Sequence, residues 1–454
     1  MKLERSSKIH LAITKSKAKM YEFGVEEEHH INLTIEPQKL LLLTIGILGD
    51  LSALEASHLV LGDNEEYLAL KNQLIDVSQY FDSLNNSKLE SSSYDYLYLL
   101  GSASYYLADM PGSSLVLIKA VDYDIDELTP SYIEGILIWL LKGDLEHEWY
   151  YYENSSFCDE LEYFRATIVE ILEQEAPIEQ LNFAINILRK DVYKSGNDRE
   201  LLIVDILCAV AKRKIQYSSL ICLPKYTGLA VNLWQAVLAK DNFIKEFWPA
   251  QRLLGEKGIF EGKSAVVQMP TSAGKTKSTE LIIRSSFLSK RSNLAVVVAP
   301  FRALCREIAD SFKKSFSNEN IKINELQDVP QLNHNDLEMI NDLLNKEDDD
   351  NVSDSVIVST PEKLVYVLRH EPELASNIGL LIFDEGHQFD SGSRGVTYEL
   401  LLASLKANIP DDSQLILISA VMSNAETIGD WLYGENGTEV KGTHCLPTIR
   451  STAF

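Results

Sequence analysis

Pro270-Thr271-Ser272-Ala273-Gly274-Lys275-Thr276 follows the apolar run Ala265 to Gln268 and opens a helical stretch that runs from Lys275 to Leu288. A β-branched run, a loop of small residues and then a helix expose several backbone N–H groups at a helix N-terminus, where the dipole favours phosphate. In this reading Thr271, Ser272, Ala273 and Gly274 line the phosphates, the Lys275 ammonium reaches the β- and γ-phosphates, and the Thr276 hydroxyl binds magnesium. The general phosphate-loop pattern carries a glycine five positions before Gly274, and this chain has Met269 there. Taken alone, the stretch also fits a plain Ser/Gly-rich turn.

Working outward, the chain after about Asp241 consists of short β-branched runs separated by helical stretches, the pattern of a parallel sheet covered on both faces. Candidate strands are Ala265 to Gln268, Leu294 to Ala299, Val356 to Ser359, Leu380 to Phe383 and Gln414 to Ser419, with a further helix at Ala303 to Phe316. The fourth strand ends in Asp384-Glu385-Gly386-His387, which puts two adjacent carboxylates at the carboxyl edge of the sheet, where such folds bind ligands. Asp384 is suited to hold a magnesium ion, and Glu385 to orient and deprotonate a water. His387 is read either as a helix-start residue or as a link from the nucleotide site to the rest of the protein. The acidic run Glu347 to Asp350 reads as a solvated loop.

From about Ile31 to Trp234 the apolar spacing is helical instead. Leu97, Leu100, Ser104, Leu107 and Ala108 share one face, Asp109 to Gly112 form a turn, and Ser113 to Ala120 fold back as a second helix. Small residues at Gly101, Ala103, Ser104 and Ala108 allow close approach, as in a helical hairpin of the tetratricopeptide kind. Similar patterns occur at Tyr163 to Leu172 and Ile178 to Leu188, without a fixed repeat period. The plain reading of these stripes is core.

The chain has 454 residues, 45% hydrophobic and 24% charged, enough for two or three domains with buried cores. Its net charge is −25: 36 acidic against 21 basic side chains up to Lys240, and 31 against 21 from Asp241 onward. Neither half offers a basic surface, so contacts to nucleic acid must be local, made by backbone amides and a few placed side chains. The odd number of cysteines, Cys158, Cys208, Cys222, Cys305 and Cys445, argues against a disulfide framework and for a cytoplasmic location. The apolar stretch around Leu40 to Leu48 is too short to span a bilayer, so no membrane partner is expected.

The loop and the dyad together resemble motifs I and II of the Ski2-like branch of superfamily 2 DExH-box helicases, a branch whose motif I also lacks the early glycine. The resemblance runs from Phe247 to about Leu432. It implies an α/β P-loop NTPase domain of the RecA-like kind over residues 236–454, with a parallel sheet and helices on both faces, preceded by an all-α helical domain over 1–235. ATP and Mg2+ are the implied ligands. Trp248-Pro249-Ala250-Gln251 looks like the adenine-recognising stretch, assigning Gln251 to the adenine edge. Ala299 to Leu304 resembles motif Ia and Ser359 to Leu364 motif Ib, which carries a nucleic-acid backbone contact to Pro300, Arg302, Thr360 and Pro361. Arg394, Gly395 and Glu399 match a stretch typical of the branch. Motif III stands as Ser419-Ala420-Val421 in place of Ser-Ala-Thr, so Ser419 and Ala420 keep a coupling role while one hydroxyl is lost.

The helical region with Tyr98, Gly101, Tyr105, Tyr106 and Pro111 is also similar to bacterial antiphage helicases, in particular the helicase subunit of Hachiman-type systems. That resemblance implies a nuclease partner docked through the helical domain and single-stranded nucleic acid, DNA in preference to RNA, as the other partner. A superfamily 2 motor has a second RecA-like domain that supplies arginines, and only 35 residues follow Ser419. The chain is therefore expected to be the amino-terminal half of a motor, slow in turnover by itself. The competing expectation is an ATP-binding interaction or sensor module without unwinding activity.

Overall fold

The helical spacing of the first half becomes nine α-helices among the described residues: α1 (Arg5–Glu22), α2 (Pro37–Ser57), α3 (Glu65–Asn85), α4 (Tyr94–Leu107), α5 (Pro111–Lys119), α6 (Tyr132–Lys142), α7 (Cys158–Leu172), α8 (Glu179–Ser195) and α9 (Asp198–Gln216). The computed structural model describes residues 3–33, 35, 37–57, 65–85, 94–121, 132–143, 156–326, 354–387, 392–420, 422, 424–433 and 438–448. The acidic run 347–350 and Val421 fall outside them.

The expected hairpin is α4 and α5. Asp109 turns the chain with φ 63°, and Pro111 sits at the first position of α5, where a missing N–H costs nothing. Gly101 permits the close approach: a Cβ there would lie 2.9 Å from Leu117 Cδ1 and 3.2 Å from Phe81 Cβ. Buried charge ties the helices together, because Arg213 of α9 donates through Nε and Nη2 to the two carboxylate oxygens of Glu55 of α2, and through Nη2 to the Tyr67 hydroxyl of α3 at 2.8 Å. Helix α2 is longer than the apolar run suggested. Its segment Lys39–Ser57 has mean hydropathy 1.6, long and apolar enough by length and composition to cross a membrane, yet Ile47, Leu48 and Leu51 are fully buried. Its Gly49 meets Leu202 of α9.

The second compact unit holds α10 (Ser219–Thr227), α11 (Gln235–Leu238), α12 (Pro249–Glu256), β1 (Ala265–Gln268), α13 (Lys275–Leu288), β2 (Leu294–Val298), α14 (Arg302–Ser315), β3 (Ile321–Glu325), β4 (Asp354–Ser359), α15 (Pro361–His370), β5 (Leu380–Phe383), α16 (Gly392–Asn408), β6 (Gln414–Ser419), α17 (Ala425–Tyr433) and β7 (Thr438–Lys441). Among the described residues seven strands form one sheet in the order β3-β4-β2-β5-β6-β1-β7, with every pairing parallel. Alternate residues go to opposite faces, as the twofold period of a strand requires. Val267, Val297, Ile382 and Ile418 pack under Leu281, Ile283, Ile308 and Phe312 of α13 and α14. Val266, Val296, Leu381 and Leu417 pack under Leu364, Tyr398, Leu401 and Leu432 of α15, α16 and α17. Each such side chain contributes about 1.5–3 kcal/mol on leaving water. The α/β fold class and the five inner strands agree with expectation.

Two features depart from it. The units divide between Ser218 and Ser219 rather than at 235/236, and Pro447 and Thr448 group with the helical unit. The reason lies in α10: Cys222, Leu223 and Tyr226 belong to the core of the sheet unit, and the Tyr226 ring lies over Gly255, where a Cβ would fall 2.3 Å from Tyr226 Cγ. The edge strands β3 and β7 were also not anticipated. Each has a single neighbour and a half-exposed, polar sequence, Ile-Lys-Ile-Asn-Glu and Thr-Glu-Val-Lys.

Candidate active site

The strand order sets the layout of the carboxyl edge. Reading across the sheet, the strand ends deliver Thr360 (β4), Pro300 and Arg302 (β2), Asp384 (β5), Ser419 (β6) and the loop to Gly274 (β1) in that sequence. The acidic dyad therefore lies between the stretches expected to meet nucleic acid and the loop expected to meet phosphate. Strand β6 separates β1 from β5, and the Met269 N–H donates to the Ser419 carbonyl at 2.9 Å, so the start of motif III is bonded directly to the base of the loop.

Thr271–Ala273 make one 3-10 turn, after which Gly274 adopts φ 82° and α13 begins at Lys275. Only glycine takes that conformation without steric cost. A Cβ at Gly274 would in addition sit 2.8 Å from Gln251 Nε2. Gln251 is buried at the start of α12, with Oε1 accepting from the Trp248 N–H at 3.0 Å and Nε2 donating to the Ala273 carbonyl at 3.3 Å. The residue assigned to adenine is thus the one that clamps the phosphate loop. Thr276 and Ser272 are exposed at the helix start, and Ala273 is buried.

Lys275 is buried and its Nζ lies 3.2 Å from Glu385 Oε1. Glu385 Oε2 lies 3.2 Å from His387 Nδ1, so the carboxylate is held from two sides. Asp384 is fixed through its backbone: its N–H donates to the Val298 carbonyl at 2.9 Å, and its Oδ1 accepts from the Glu385 N–H at 2.9 Å. Burial, reinforced by the neighbouring Glu385 charge, raises the Asp384 carboxyl above the usual range against the opposing pull of Lys275. Gly386 is required by packing, since a Cβ there would lie 2.8 Å from Leu417 Cδ1. A loop that ends at a helix N-terminus, an exposed hydroxyl at Thr276 and a half-buried carboxylate pair, one member of which faces a lysine, is a donor set that fits a phosphate-bound divalent cation.

Lys275, Asp384, Glu385 and His387 are therefore brought together, with Gln251 beside them. Pro300, Arg302, Thr360 and Pro361 lie along the same edge on neighbouring strands, the Ala299 N–H donating to the Ser359 carbonyl at 3.1 Å. Arg302 and Phe301 are exposed, whereas Thr360 is buried and its hydroxyl caps α15 by accepting from the Lys363 N–H at 3.4 Å. Ser419 is buried and Ala420 half-buried. Tyr398 of α16 was missed by sequence reasoning. It is 2% exposed, and its hydroxyl donates to the Asp384 carbonyl at 2.6 Å. A tyrosine on the apolar stripe with Leu401, Leu402 and Leu405 was the available signal, because a buried phenol needs a partner.

The DEAD/DEAH box helicase family model matches residues 248–428. The chain is 31% identical over 198 residues to the Hachiman protein HamB of Bacillus cereus, covering 43% of this chain and 17% of that protein. It is 30% identical over 200 residues to the ATP-dependent DNA helicase Hel308 of Methanococcus vannielii, covering 43% and 24%. The chain spans about a fifth of the length of these curated relatives. Among solved structures, the DUF1998 helicase MrfA bound to DNA aligns with 46% of this chain and 29% of its own at 19% identity and a TM-score of 0.35.

Proposed function

Because residues 248–428 are a DEAD/DEAH box helicase domain, which places the chain with the superfamily 2 helicases, we propose that it binds Mg-ATP between the Gly274 loop and Asp384 and serves as the ATP-binding part of a nucleic-acid translocase. The observation that carries this reading is the 3.2 Å approach of Lys275 Nζ to Glu385 Oε1, which joins the loop after β1 to the dyad after β5 across an intervening strand. Thr276 and Asp384 would hold magnesium, which would supply charge neutralisation at the phosphates. Lys275 exchanges the Glu385 carboxylate for phosphate oxygens. Glu385 Oε1, so released, orients a water and accepts its proton, while His387 keeps hold of Oε2 and relays occupancy toward the neighbouring loops. Arg302 and the loop before α15 meet a nucleic-acid backbone, with single-stranded DNA favoured over RNA.

The likeness to HamB supports a role in antiphage defence; docking of a protein partner, a nuclease, by the acidic helical unit is part of the proposal and rests on the excess of acidic side chains in that unit and on the resemblance. The five cysteines, none of them in a disulfide, support a cytoplasmic setting. Turnover by this chain alone is proposed to be slow, because an arginine finger is worth about 10³ to 10⁵ in rate and the resemblance places it in a second RecA-like domain. Calorimetry of Mg-ATP binding tests the core of the reading: Lys275→Ala should abolish it, and an unchanged affinity would remove the phosphate-loop assignment.

A further inference from the structure

Glu385 has φ 52°, a left-handed backbone that a residue with a Cβ avoids unless its surroundings impose it. Its neighbours show how it is imposed. On the N-terminal side the Asp384 N–H is bonded to the Val298 carbonyl of β2, and on the C-terminal side Gly386 is wedged against Leu417 and Met422. Between these anchors lies the Asp384–Glu385 peptide. Its N–H donates to Asp384 Oδ1 and its carbonyl accepts from Tyr398 at 2.6 Å.

We propose that Tyr398 is a positioning residue for ATP hydrolysis: by holding the Asp384 carbonyl it locks the peptide that keeps Glu385 left-handed and its carboxylate beside Lys275. The proposal rests on the assignment of Glu385 as the group that orients water. A phenol has one proton to give, and the alternative acceptor, the Val298 carbonyl at 3.4 Å, already receives the Asp384 N–H, so the proton goes to Asp384. The ring stands edge-on to Phe383 with centroids 5.2 Å apart, a contact that phenylalanine would keep. Without the hydroxyl, the carbonyl loses its partner and the peptide is free to turn, which carries the Glu385 carboxylate away from the nucleotide while the loop that binds phosphate stays as it is.

The experiment is single-turnover phosphate release from radiolabelled Mg-ATP by an excess of the 454-residue chain, which resolves hydrolysis taking hours, paired with calorimetric ATP affinity. Tyr398→Phe should slow release by about 10- to 100-fold, the range for a misplaced catalytic group, while affinity stays within about twofold. In the Glu385→Gln background the same substitution should change nothing further, since there is no longer a base to position. A wild-type rate for Tyr398→Phe, a parallel loss of affinity, or an equal further loss in the Glu385→Gln background would each overturn the proposal. A wild-type rate for Glu385→Gln alone would instead bring down the underlying assignment and the proposal with it.

Discussion

Gly274→Ala strikes the phosphate loop at its one left-handed residue. With φ 82° an alanine costs about 1–2 kcal/mol relative to ordinary backbone. Its methyl would also sit 2.8 Å from Gln251 Nε2, forcing the amide off the Ala273 carbonyl and forfeiting about 0.5–1.5 kcal/mol. Together these amount to about 1.5–3.5 kcal/mol lost from the sheet unit. For a unit of this size each kcal/mol lowers Tm by about 2–4 °C, so a fall of about 3–14 °C is expected. The transition that belongs to the sheet unit is recognised in scanning calorimetry as the one raised by saturating Mg-ATP. Mg-ATP affinity should fall at least about tenfold, the equivalent of about 1.4 kcal/mol of misaligned amide donors. An alanine variant that melts within about 1 °C of the parent and binds nucleotide within twofold would refute both the strain argument and the clamp by Gln251.

Asp384 gives a test with a definite sign. Its raised folded-state pKa means that the folded protein keeps this proton to higher pH than the unfolded chain, so the stabilising contribution is present at low pH and is lost as pH rises through the raised value. At neutral pH without metal, Asp384→Asn should therefore melt above the parent, while losing the tightening of ATP by magnesium; a lower Tm is the contrary result. In the parent, magnesium dependence should fade on acidification at a higher pH than an ordinary aspartate would dictate, read by calorimetry across a pH series. The helical unit, with its acidic excess, should not bind DNA or RNA tightly in gel-shift assays, and salt-sensitive affinity in residues 1–218 alone would contradict its assignment as a protein-docking surface.

The inner sheet was legible because its strands are short β-branched runs with an apolar residue on both faces, and nothing but a doubly covered parallel sheet accommodates Leu294 to Val298 or Gln414 to Ser419. The edges were not, since β3 and β7 alternate polar and apolar side chains over too few residues to separate from loop. The loop and dyad were legible as residue types at strand ends, and their proximity followed from both lying at the carboxyl edge. What the spacing did not carry were contacts between distant segments: Gln251 under the loop, Tyr398 on the Asp384 carbonyl, and Tyr226 over Gly255, which moves the unit boundary. Thr360 shows the converse, a motif position whose hydroxyl is also an ordinary helix cap.

The sheet order also bears on how the protein is made. Strand β1 emerges from the ribosome before the other strands but pairs with β6, Ala265 opposite Ile416, and with β7, Ala265 opposite Thr438. The intervening roughly 150 residues take about 8–30 s to synthesise at ordinary rates. During that interval the nascent Ala-Val-Val-Gln segment has neither neighbour, and the Met269 amide that anchors the loop has no Ser419 carbonyl to bond. A nascent chain arrested before residue 414 should therefore be unable to hold nucleotide, so ATP cannot act as a folding template until the last inner strand has left the tunnel. This parallel sheet is threaded together from distant segments, a topology that folds slowly, and its first strand stays exposed to chaperones throughout that interval.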